Sequence, residues 1–154
     1  MALEDDIAFL QRIPLLARLG AGALRILAIG IETHTVEAGD QLFVAGESAD
    51  CAYVIKSGSL VLKSRRAADQ EDIVGPGSLV GETALLTETT RSATAIARED
   101  SQVLRISRAM FLKTLDTYPD GAQRLRDLMA ARAERVAREV EGVRAILTRG
   151  SRPR

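Results

Sequence analysis

An α+β chain, with an antiparallel barrel or sandwich held between helical segments, is the fold class the sequence predicts, on three observations. The apolar residues recur at helical spacing up to about residue 31, give way to short β-branched runs from Thr33 to Ile106, and return to helical spacing after Ser107. Glycine turns punctuate the middle part at the interval of an antiparallel barrel or sandwich. The length, 154 residues, is one domain's worth. We therefore divide a single domain into helices over 1–31, strands over 32–107 and helices over 108–149.

Taken in order, residues 3 to 30 predict an interrupted helix. Pro14 starts a new turn rather than sitting inside one. Leu15, Leu16, Leu19, Leu24, Leu27 and Ile31 then recur at helical spacing, with Gly20 and Gly22 expected to break the run. Strands are expected at Thr33–Val36, Gln41–Val44, Ala52–Lys56, Ser59–Ser64, Asp72–Val74, Ser92–Arg98 and Gln102–Ser107. The turns between them carry Gly39, Gly46, Gly58 and the Gly75-Pro76-Gly77 triplet. Lys63 to Asp72 is polar and short, as at a solvated hairpin tip. Ser107 is the expected N-cap of a helix over Arg108–Thr117, and Pro119 restarts the chain. From Asp120 to about Thr148 one long helix follows, with Gly142 as its expected interruption. Leu125, Met129, Arg132, Val136, Val140, Val143 and Leu147 fall on or near one stripe of it.

Composition excludes several functions. Lysine and arginine (21) balance aspartate and glutamate (21), so no global charge favours nucleic acid. Three Phe, two Tyr and no Trp are too few for a base-stacking single-strand binder. Cys51 is the single cysteine, so no intrachain disulfide forms, and its place at a strand start suits buried packing. The acidic start, Met1 to Asp6, lacks the basic segment and apolar core of a signal peptide. No apolar run reaches the roughly 18 residues that span a membrane. The expectation is a cytoplasmic protein. His34 is the only histidine, which leaves a clustered-ligand metalloenzyme without its ligands, and no nucleophile–base pair emerges. We expect a non-enzyme with no cofactor and no metal.

Residues 78 to 96 carry the chemistry. Gly81-Glu82-Thr83-Ala84 can open a short helical turn whose first N–H groups lack internal partners and attract an anion. Gly81 allows close approach to the main chain. Arg91 adds a planar fork of donors suited to phosphate. Glu82 beside an anion site makes sense if the ligand also carries hydroxyls, as a ribose does. Phosphate, sugar and nearby apolar residues together suggest a nucleotide.

Two half-motifs at fixed spacing, Val80-Gly81-Glu82-Thr83-Ala84-Leu85-Leu86 and Arg91-Ser92-Ala93-Thr94, resemble the phosphate-binding cassette of cyclic-nucleotide-binding domains. That is the family of the bacterial catabolite activator protein and of the protein kinase A regulatory subunit. Ile13 to Leu16, and Tyr53-Val54-Ile55 before Ser57-Gly58, resemble further family signatures, so the likeness covers about residues 10 to 148. It implies a jelly-roll-like β-roll with N-terminal helices and a long C-terminal lid helix, and a cassette over 78–94. It implies that Arg91 pairs with the cyclic phosphate and that Glu82 accepts from the ribose 2′-hydroxyl. Backbone N–H groups near Ala84 and Ala93 would complete the cradle. Ser92 is expected to touch phosphate or guanine, which permits cAMP and does not exclude cGMP. Leu62 and Val74 either wall the base or serve as ordinary core residues.

The resemblance further implies that the ligand orders the cassette and that a hinge over 107–120 lets the last helix close over the base. That helix carries no Thr or Ser between Asp120 and Val143, so Arg124, Arg132 or Arg135 is left to cap the base. It packs on its own domain or pairs with its twin in a homodimer. Its arginine excess suits a solvated helix face, and nucleic acid is not read from it. No helix-turn-helix follows, so the domain is expected to act through an effector protein or dimer, or as part of a longer chain. The readings are a cyclic-nucleotide sensor, the ligand-binding fragment of a transcription regulator, or a degenerate domain used as an interaction module.

Overall fold

The computed structural model describes residues 2–64 and 71–150, with side chains described over 3–64 and 71–135. Three helices open the chain: α1 (Ala2–Gln11), α2 (Pro14–Ala17) and α3 (Ala21–Gly30). Pro14 sits in the first turn of α2, where a missing N–H is no loss. Gly20 separates α2 from α3, but Gly22 does not break the helix as expected. It lies inside α3, and the Tyr118 ring packs so near that a Cβ would stand 2.8 Å from it. Leu10, Leu16, Leu24 and Leu27 from these helices, with Leu19 from the turn between α2 and α3, are buried in one core.

Among the described residues ten strands follow. They are β1 (Glu32–Val36), β2 (Gln41–Phe43), β3 (Ser48–Ala49), β4 (Cys51–Ser57), β5 (Leu60–Ser64), β6 (Glu71–Val74), β7 (Leu79–Val80), β8 (Thr89–Thr90), β9 (Ala93–Ala97) and β10 (Ser101–Ser107). All pairings are antiparallel: one sheet runs β1-β10-β4-β7, another β2-β9-β5-β6, and β3 pairs with β8. This is the expected β-roll. The sequence reading lacks β3, β7 and β8, because two residues cannot display a period. The hairpin between β5 and β6 is paired out to Lys63 and Glu71, so strand replaces the expected polar tip there; its remaining residues, 65–70, lie outside the described residues.

Alternation along β4 and β10 divides two cores. Ala52, Val54, Leu104 and Ile106 face the helices, whereas Ile55 and Val103 face the roll interior with Val36, Phe43, Leu60, Val80, Ala95 and Ala97. Cys51 and Tyr53 share the Ile55 face of β4 by the same period of two.

Ser107 caps α4 (Arg108–Thr117) as expected, its hydroxyl accepting from the Met110 N–H at 3.2 Å. Pro119 begins α5 (Pro119–Gly150). The helix continues through Gly142 without the expected interruption; one helical glycine disfavours a helix by only about 1 kcal/mol. Its root is fixed to the N-terminal helices. Gly121 lies against the Leu19 carbonyl, and Arg124 donates from Nε to the Arg18 carbonyl at 2.7 Å. Leu125 is buried and Met129 packs on the same core, while Arg132 is exposed. Val136, Val140, Val143 and Leu147 of the expected stripe lie beyond the described side chains.

Candidate ligand site

Between β7 and β8 the chain makes a single 3-10 turn, Glu82–Leu85, entered by Gly81 in the left-handed conformation (φ 78°). The Ala84 N–H donates to the Gly81 carbonyl at 3.1 Å and is therefore engaged inside the turn. The amides at the start of the turn without an intrahelical partner are those of Glu82 and Thr83, next to Ala84.

Arg91 is fixed first through its backbone. Its N–H donates to the Glu47 carbonyl and its carbonyl accepts from the Gly46 N–H, both at 2.8 Å. Nearby, the Thr94 hydroxyl accepts from the Ala45 N–H at 3.0 Å and braces the same edge. The Arg91 side chain then runs inward and is only 8% exposed. Its guanidinium carbon lies 4.4 Å from the Phe43 ring centroid and 5.6 Å from that of Tyr53, within cation–π range. Nη2 donates to the Cys51 sulfur at 3.3 Å, and Nη1 has no hydrogen-bond partner. Phe43 and Tyr53 stack with centroids 6.0 Å apart. Burial, and next the neighbouring Cys51 sulfur, push the Tyr53 phenol up to about 12, so it remains neutral at ordinary pH. A buried donor with no partner in a folded protein requires an explanation, and an anionic ligand supplies one.

A cavity of about 330 Å³ opens on this group, within the range of small-molecule sites. All ten residues singled out from the sequence line it: Leu62, Val74, Val80, Gly81, Glu82, Thr83, Ala84, Arg91, Ser92 and Ala93. Leu62 and Val74 line the cavity and also pack on the roll core. Glu82 is half exposed, its carboxylate 3.9 Å from Arg132 on α5. Such a pair adds little stability, but it places one arginine of α5 at the cassette. Arg124, offered equally by the sequence, donates to the Arg18 and Leu19 carbonyls in the turn after α2 and does not line the cavity. Arg135 is exposed.

Sequence reasoning missed Phe43, Cys51 and Tyr53 as the surroundings of Arg91. The one signal was the period of two that puts Cys51 and Tyr53 on the inner face of β4. It also missed Arg108, whose Nη1 donates to the carbonyls of Ala49, Ala84 and Thr87 and ties the start of α4 to the cassette.

Gly81→Ala tests how tightly this turn is built. A Cβ there would collide with the Arg91 guanidinium, and a side chain in left-handed backbone costs about 1–2 kcal/mol. The expected result, read by thermal melting and ligand titration, is a stability loss of that order with at least about tenfold weaker binding. Unchanged values for both would show that the turn yields freely.

A β-roll enclosing a walled cavity, with an unsatisfied guanidinium inside and a long helix leading away, defines a ligand-binding domain. Residues 33–118 match the family model of the cyclic nucleotide-binding domain, and the chain belongs to that family. It is 33% identical over 106 residues to a cyclic AMP receptor protein of Thermus thermophilus, covering 67% of this chain and 49% of the receptor. The chain thus spans about half the length of that relative. Among solved structures it is similar to a cyclic nucleotide-binding-like protein from Brucella abortus bv. 1 str. 9-941, with 39% identity, a TM-score of 0.64, and 73% and 98% of the two chains covered. It is also similar to the N-terminal domain of a transcriptional regulator from Streptomyces coelicolor A3(2), with 29% identity, a TM-score of 0.76, and 86% and 94% covered.

Proposed function

We propose that this domain is a non-catalytic sensor that binds cAMP, with cGMP as the competing ligand, and that binding orders α5 over the base. The observation that carries the reading is the buried Arg91 Nη1, unpartnered beside a cavity of nucleotide-fragment size. A cyclic phosphate supplies the missing acceptors. The amides of Glu82 and Thr83 add donors to it, and the Glu82 carboxylate accepts from the ribose hydroxyl. Leu62 and Val74 face the base, and the Ser92 hydroxyl suits either purine.

Arg132 links α5 to this arrangement. Its contact with Glu82 already bridges helix and cassette at 3.9 Å, and a bound ribose competes for the same carboxylate. Arg132 then turns toward the base or ribose and draws α5 with it. The ligand shifts α5 only by its differential affinity for the closed state. Because the pair is exposed, Arg132→Ala should weaken binding by less than about tenfold. The same variant should lose the ligand-dependent gain in hydrogen-exchange protection along α5. Equal protection in variant and wild type would remove Arg132 from the coupling.

A second reading, the ligand-binding part of a transcription regulator, is favoured by the likeness to the Streptomyces regulator domain and by the half-length match to the receptor. The effector, whether a partner protein or a second copy joined through α5, belongs to that choice. The deciding experiment strips carried-over nucleotide by unfolding and refolding, then titrates the protein calorimetrically with cAMP and, separately, cGMP. Saturable binding of either supports the sensor, and the ratio of affinities names its signal. No heat with either leaves a domain used for protein interaction.

A further inference from the structure

Arg91 is gripped by uncharged groups alone. The Cys51 sulfur accepts from Nη2 at 3.3 Å, the Phe43 ring lies 4.4 Å from the guanidinium carbon, and no carboxylate among the described residues pairs with it. Cys51 is 2% exposed on the inward face of β4. Aspartate is close to cysteine in volume, so a carboxylate would fit where the thiol stands and would neutralise the arginine.

We infer that Cys51 is a positioning residue that orients Arg91 without cancelling its charge, so that the cavity takes up small oxyanions, inorganic phosphate included. The thiol fixes one nitrogen by a weak acceptor and leaves Nη1 free, more than nine-tenths buried and unsatisfied. A buried cation without a counter-charge raises the free energy of the empty state, and any oxyanion that reaches it lowers that free energy. A carboxylate at position 51 would pre-empt the anion. The consequence for cAMP rests on the proposed function, whereas the consequence for inorganic phosphate stands without it.

The test compares wild type, Cys51→Ser, Cys51→Asp and Arg91→Ala. Thermal melting is measured in chloride and in about 20 mM phosphate, a concentration chosen to act by site binding, at equal ionic strength. Affinity for cAMP is measured by calorimetry. Wild type and Cys51→Ser should gain roughly 3–6 °C in phosphate, as for an anion near ten times its Kd. Cys51→Asp and Arg91→Ala should gain less than about 1 °C, a comparison in which general salt effects cancel. Cys51→Asp should bind cAMP about 100-fold more weakly, and Cys51→Ser within about threefold of wild type. The inference is overturned if Cys51→Asp keeps cAMP binding within about tenfold of wild type or keeps the full phosphate gain. Should Cys51→Asp fail to fold, an equal phosphate gain in wild type and Arg91→Ala overturns it instead. A phosphate gain in wild type without any cAMP binding would sink the nucleotide reading and leave this inference standing.

Discussion

Arg91→Ala will weaken cyclic-nucleotide binding by roughly 30-fold to several-thousand-fold, the loss expected when one partner of a desolvated charge pair is removed at about 2–5 kcal/mol. The same substitution should leave the melting temperature of the ligand-free protein nearly unchanged. These two outcomes differ because Arg91 has neither a counter-charge nor a hydrogen-bond partner for Nη1 among the described residues. Its guanidinium is buried, with Nη1 unsatisfied by any protein group among the described residues. Deleting it therefore removes a desolvation penalty of the kind that makes unpaired buried charges costly. Against that gain stand the lost cation–π contact with Phe43, worth about 0.5–2 kcal/mol, and the space left among Phe43, Cys51 and Tyr53. Arg91→Met keeps most of the volume and should sit closer to neutral. Calorimetric titration with cAMP and melting without ligand measure both quantities. A variant that binds normally would place the phosphate elsewhere. A melting temperature lower by more than about 10 °C would make Arg91 a structural residue first.

What the sequence could and could not reveal follows from distance along the chain. The cassette is local: Gly81, the turn after it and Arg91 lie within about a dozen residues, so their spacing alone expresses the arrangement. The surroundings of Arg91 are not local. Cys51 and Phe43 come from strands forty and forty-eight positions earlier, and only the pairing of the roll brings them beside the guanidinium. Nothing at position 51 distinguishes a thiol that packs from a thiol that holds an arginine. Arg124 shows the same limit on a helix, because an arginine that ties down the Arg18 and Leu19 carbonyls has the same helical address as one that faces a ligand. Arg108 follows a capping serine and reads as surface charge, yet it holds three carbonyls of the cassette region. The helical and strand segments were legible because their periods run over many residues. The two-residue strands β3, β7 and β8, which frame the cavity, have no period to read.

Phe111→Ala carries the largest expected stability effect, about 3–5 kcal/mol for an aromatic core truncation, in a protein class whose whole stability is about 5–15 kcal/mol. Phe111 is fully buried on α4, in the core shared by the N-terminal helices and the outer face of β4 and β10. Melting should fall by roughly 6–20 °C. α4 also packs against α3, α5 and the 3-10 turn of the cassette, and Arg108 at its start grips the cassette carbonyls. Loosening α4 should therefore disturb more than the core. A ligand at 100 times its Kd adds about 2.7 kcal/mol to a protein that binds it only when folded. If α4 serves as the hinge through which the cassette moves α5, the Phe111→Ala protein will bind cAMP more weakly, and the same free cAMP concentration will restore less stability than in wild type. Equal recovery in both would mean that the cavity binds its ligand without reference to α4, and α5 would then have to be moved through Glu82 and Arg132 alone.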